Sequence, residues 1–167
     1  MPSKRMEDAL NEQIKHEFAS AWAYLAMSAY FDAENLGGFA QWMRQQSREE
    51  VMHAMKIVDF LQDREGRVVL QAIGQPQIEF ASPLDVFEHA LAHEKKISGT
   101  INDLYEIALE EKDYPTQVML QWFIEEQVEE EKTASDIVEQ IKMIGDDSSA
   151  LLLMDQRMAQ RQPEDGE

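Results

Sequence analysis

Apolar residues recur at steps of three and four along most of this chain, the spacing of helices that each bury one stripe. Four long stretches carry the pattern. The first runs from about Lys4 to Glu34, and Asn35-Leu36-Gly37-Gly38 is expected to stop it. The second runs from about Phe39 to Glu65 and closes at Gly66. The third opens at Ser82-Pro83, a capping side chain followed by proline at the first helical position, and reaches about Lys112. The fourth starts near Tyr114-Pro115 and runs to Ile144, with Gly145 as its stop. A shorter fifth helix is expected from Ser148 to Arg161, with 162–167 as a disordered tail. The whole chain, 1–167, reads as one all-α domain.

The connections set the topology. Helices one and two are separated by a few residues, as are three and four, so each pair is expected to be antiparallel. About 16 residues, Gly66 to Ala81, lie between helices two and three. Extended, they reach roughly 50 Å, against roughly 42 Å for a helix of that size. A single crossover along the full bundle would leave helices two and three parallel. That is the arrangement of a ferritin-like four-helix bundle.

Each predicted inward face is apolar at its ends and polar near its middle. Helix one presents Leu10, Ile14, Glu17, Ala21, Tyr24, Ser28 and Phe31. Helix two presents Phe39, Met43, Gln46, Glu50, His53, Ile57 and Phe60. Helix three presents Leu84, Phe87, Leu91, Glu94, Ser98, Ile101 and Tyr105, and helix four Leu120, Phe123, Gln127, Glu130, Ala134, Ile137 and Ile141. In helices of similar length these midpoints lie at one level, so Glu17, Glu50, His53, Glu94, Gln127 and Glu130 should converge in the core. The Glu-x-x-His pair, Glu50 and His53, sits one turn apart and can grip one ion. Several carboxylates cannot share a dry site as bare anions. Bound cations resolve the conflict, and oxygen donors with one imidazole suit iron(II), manganese or zinc. The pattern therefore implies a dinuclear carboxylate site.

Composition narrows the function classes. The formal net charge of −18 argues against nucleic acid as a partner and suits the attraction of cations. No apolar run approaches the roughly 18 residues that span a bilayer, so no membrane partner is expected. The N-terminus carries no apolar signal core, which points to a cytoplasmic location. Cysteine is absent, excluding disulfides, zinc–thiolate sites, iron–sulfur clusters and thiol nucleophiles.

Glu17 to Tyr24, Glu49-Glu50-x-x-His53, Glu94 and the run Trp122 to Glu131 together resemble the non-haem bacterial and archaeal ferritins, over essentially the whole chain. Bacterioferritins repeat Glu-x-x-His on the fourth helix, where this chain has Gln127-x-x-Glu130. They also place a haem-ligating Met directly after the second-helix Glu, where this chain has Val51, so no haem is expected. The resemblance implies a ferroxidase centre. Glu17 and His53 would ligate one iron, Glu50 would bridge, and Glu94 and Glu130 would complete the second, with Gln127 beside it. A third iron is implied at Glu49, Glu126 and Glu129. Tyr24 would hydrogen-bond the ligands or donate an electron. His16 and His93 adjoin the inward faces but are expected to point to the surface, and Trp122 is expected to be packing.

The leading functional expectation is iron storage: Fe(II) oxidised by O2 or H2O2 and kept as ferric mineral inside a homo-oligomeric shell, which the resemblance implies has 24 subunits. A di-iron oxidase or peroxidase without storage is the alternative. A helical module whose buried acids hold a structural ion is a third possibility.

Overall fold

Helix starts follow side-chain chemistry. In the computed structural model, which describes residues 1–163, Ser3 caps α1 (Lys4–Ala33) by accepting from the Met6 N–H at 3.0 Å. Ser82 caps α3 (Pro83–Glu110), accepting from Asp85 at 3.1 Å. Asp113 caps α4 (Tyr114–Ile144), and Asp147 caps α5 (Ser148–Met158). The remaining helix, α2, spans Gly37–Asp63. The bundle with one long crossover and a short fifth helix, expected from the pattern, is the fold the chain adopts.

The stops differ in detail from expectation. Gly37 and Gly38 do not end α1; they form the first turn of α2. The left-handed residues after α1, α2 and α3 are Asn35, Glu65 and Lys112 (φ 59°, 58° and 55°). Each is held by a paired terminal motif: Leu36 N–H donates to Phe31 O, Gly66 to Leu61 O and Asp113 to Ala108 O, all at 2.9 Å. Gly38 is kept small for packing, since a Cβ there would lie 1.7 Å from the backbone oxygen of Asp155 on α5. α5 itself ends at Met158, not Arg161, leaving Arg161 on a non-helical segment. The expected disordered tail lies outside the described residues from 164 onward.

Contacts along the crossover give its direction. Arg67 N–H donates to Glu7, and the Asn11 side chain brackets the segment, donating to Arg67 O and accepting from Val69 N–H. Farther on, Ile73 to Gln77 border the same cavity as Ala19, Ala23 and Met27, and Phe80 packs edge-on against Tyr30. The crossover therefore follows α1 from its first turns to its last. At the other end Arg64, just past α2, pairs with Asp113 at the start of α4 at 2.7 Å. These contacts make α2 and α3 parallel.

The core is in two halves. One holds Phe31, Phe39, Trp42, Met43, Phe87, Ile141 and Met154; the other holds Leu10, Ile14, Ile57, Leu61, Ile101, Leu120 and Phe123. Between them lies a layer of buried polar residues that includes Glu17, Gln46, Glu49, Glu50, His53, Glu94 and Gln127. Every expected inward residue of α1 is buried. On α3 the phase differs: Ala90, Ile97, Leu104 and Ala108 are buried, while Leu84, Leu91, Ser98 and Tyr105 are half-buried. Leu91 and Ser98 instead face a groove between α3 and α4 of about 550 Å3. On α2, Leu61 replaces Phe60 as the buried residue.

α5 is locked onto α2. Asp155 accepts from the Phe39 N–H at 2.9 Å, and Met154 and Met158 enter the upper core. Gly38→Ala is expected to force these backbones apart, at roughly 2 kcal/mol for overpacking. A lowered chemical-denaturation midpoint checks this, and an unchanged midpoint would mean α5 contributes little.

Candidate metal centre

Three-residue spacing on α2 turns Glu50 and His53 to the same side, where His53 Nδ1 lies 3.4 Å from Glu50 Oε2 and 3.9 Å from Glu17 Oε2 of α1. Glu17, Glu50 and His53 can each offer a ligand atom such that all lie within 4.8 Å of one another. Glu50, Glu94 and Glu130 form a second such group by the same measure. Glu50 belongs to both. The two groups, each of which could hold a cation, thus share one carboxylate and draw on all four long helices.

Glutamines orient these carboxylates by donating to them. Gln13 Nε2 donates to Glu17 Oε1 at 2.7 Å. Gln46 Nε2 donates to both Glu50 Oε1 and Glu130 Oε1 at 2.8 Å, tying the two groups together. Gln127 Nε2 donates to Glu94 Oε2 at 3.1 Å and to Ser98 Oγ at 3.3 Å. Tyr24 OH donates to the other Glu94 oxygen, Oε1. Gln13 was not among the sequence candidates, because it flanks the inward face of α1; its signal is the i, i+4 spacing to Glu17.

Burial raises three of these acids above the ordinary carboxyl range. Glu17 is pushed up to about 8, first by desolvation and then by the charge of Glu50. Glu50 and Glu130 lie well above the usual carboxyl range for the same two reasons, with Glu94 as the first charged neighbour of Glu50 and Glu50 that of Glu130. Tyr24 is raised well above its ordinary value by burial and by Glu94. Glu130 Oε2 is buried without a hydrogen-bond partner among the described residues. Such a cluster is a poor structural filler and a good cation receptor.

The remaining expected residues divide. Glu126 is brought to His53 and Glu130, within 4.8 Å at their ligand atoms. Glu49 is buried and engaged by Gln45 at 3.0 Å and by the Arg161 guanidinium. Glu129 is exposed, and it borders the same small cavity as Glu126, Glu130 and Arg161. Glu49, Glu126 and Glu129 do not close into one ligand group among the described residues. His93 differs from expectation: it is half-buried, 2.7 Å from Ser20 Oγ and edge-on to Tyr24. Burial lowers its pKa. Trp122 packs edge-on against His53 at 5.3 Å between ring centres, so it walls the site.

Residues 7–144 match the family described as the ferritin-like domain. The chain belongs to the ferritin family. It is 40% identical to the bacterial non-heme ferritin of Staphylococcus aureus over 161 residues, covering 96% of this chain and 97% of that one. The Staphylococcus epidermidis counterpart is 41% identical over the same span. Among solved structures, an open-pore ferritin from the hyperthermophilic archaeon Archaeoglobus fulgidus superposes with a TM-score of 0.96, at 49% identity. That match covers 97% of this chain and 99% of the other. A closed form of the same archaeal ferritin, engineered by site-directed mutagenesis, matches equally well. In this ferritin-family chain no helix among the described residues is long and apolar enough to cross a membrane.

Proposed function

We propose that this chain is an iron-storing ferroxidase of the cytoplasm, working as a homo-oligomeric shell of 24 subunits without haem. The observation that carries the reading is the pair of ligand groups sharing Glu50 at the midpoint of a ferritin-family bundle. Glu17 and His53 hold one Fe(II), Glu94 and Glu130 the other, and Glu50 bridges them. Two adjacent ions deliver two electrons together. With O2 as oxidant, two Fe(II) become two Fe(III), and O2 takes up two electrons and two protons to give H2O2. H2O2 is itself a competent oxidant at the same pair.

The chain's own groups prepare that step. The protons held by Glu17, Glu50 and Glu130 leave as iron enters, so the carboxylates meet the ions as anions. Gln13, Gln46 and Gln127 each donate to a carboxylate oxygen, which fixes the orientation of the ligands. Tyr24 donates a hydrogen bond to Glu94 and so steadies that ligand. Glu126 and Glu129, with Glu49, supply a third position through which ferric iron leaves for the mineral.

The test is rapid mixing of the protein with about two equivalents of Fe(II) per chain, with O2 uptake recorded alongside absorbance. Consumption near one O2 per two Fe(II), faster than in a protein-free control, is the expected result. A rate equal to the control would overturn the assignment.

A further inference from the structure

Arg161 stands out as a cation inside an acidic site. Its segment leaves α5 at Met158, and α5 is pinned to α2 through Asp155 and Gly38, so the guanidinium is delivered to a set place. There it stacks over Trp42 at 4.3 Å, and its Nη2 donates to Gln46 Oε1 at 2.9 Å and to Glu49 Oε2. Gln46 in turn donates to Glu50 and Glu130, so Arg161 fixes which way that amide faces. Arg161 Nη1 is buried without a hydrogen-bond partner among the described residues, and Arg161 borders a cavity of about 50 Å3. Glu94, Glu126, Glu129 and Glu130 border the same cavity. That volume admits a water or two, or one small cation, and any cation entering it would sit directly against the Arg161 side chain.

We infer that Arg161 is a tethered cation that holds Glu49 while the third position is empty, and that an ion settling among Glu49, Glu126 and Glu129 must first displace it. The inference rests on the third position proposed above. Two positive charges contending for one buried carboxylate repel strongly where water is scarce. Arg161 can yield, because its side chain is 19% exposed and lies beyond the last helical turn. Its withdrawal frees Glu49 and releases the amide of Gln46. Arg161 thereby acts as a positioning residue that makes the third ion bind more weakly than the pair, a gradient that favours onward transfer.

The test uses Zn2+, which is redox-inert, titrated calorimetrically into the assembled protein. Arg161→Gln is expected to tighten the third, weaker zinc about tenfold, with the two tighter ions still bound. Unchanged or weaker third-ion binding, with the pair intact, overturns the inference. Fewer than two tight zinc ions on the unmodified protein would remove the paired centre itself, and the inference with it. A second measurement needs no Arg161 variant. Trp42 emission should change on the third equivalent of zinc, and Trp42→Phe should abolish that change while Trp122, beside His53, still reports the first two. No Trp42 response to the third ion would mean the guanidinium stays in place, which also overturns the proposal.

Discussion

Glu50→Ala is expected to slow oxidation of the first two Fe(II) per chain by more than about a hundredfold, beyond the tenfold to hundredfold typical of losing a ligand's supporting partner. Glu50 is the one carboxylate common to both ligand groups, so its removal weakens both positions at once. His53→Ala should be nearly as severe at one position while leaving Glu94 and Glu130 able to bind an ion. Neither change should unfold the bundle. The two apolar halves of the core lie above and below the polar layer, and Glu50 is a group whose burial is unfavourable without metal. Stopped-flow rates checked against circular dichroism separate the two effects. Near-normal initial rates in both variants would remove these residues from the centre.

A pH dependence of the opposite sense to ordinary acid denaturation is the second large effect. In the folded, metal-free chain Glu17 keeps its proton up to about 8, against an ordinary 4.5 once unfolded. The folded state then binds more protons than the unfolded state between these values. The stabilising contribution is full below about 4.5 and is lost as the pH rises through about 8. Glu50 and Glu130 are displaced in the same direction. Melting temperatures measured in chelator should therefore fall from about pH 5 to about pH 8, and Glu17→Gln should flatten the fall. Metal binding displaces the same protons, so zinc affinity should climb over that window with measurable proton release. Identical slopes for the parent and Glu17→Gln would contradict this account of the buried acids.

Much of the architecture was legible because its signals are local. The cap at Ser82, the repeating apolar steps of α1 and the length of the crossover each follow from short-range chemistry. The convergence of Glu17, Glu50, His53, Glu94 and Glu130 was legible for a different reason: ionisable residues at the midpoints of apolar faces have nowhere else to go. The phase of α3 was not. Steps of three and four starting from Phe87 can run through Ala90 or Leu91, and only packing against its neighbours chooses Ala90. Gly37 and Gly38 read as a stop, yet the chain uses Asn35 for the turn and keeps Gly38 for the approach of α5. Arg161 carried no signal at all. It lies 112 residues from Glu49 in sequence, and nothing short of the docked fifth helix brings the two together.

Storage at a paired centre is tested directly by loading the protein with iron. Fe(II) is added in air at tens to hundreds of equivalents per chain, and the product is separated by size-exclusion chromatography with iron detection. Oxidised iron should co-elute with a very large protein particle. Oxidation followed by precipitation would leave the paired site but favour an oxidase that stores nothing. No oxidation beyond a protein-free control would mean that the buried carboxylates form no ferroxidase centre.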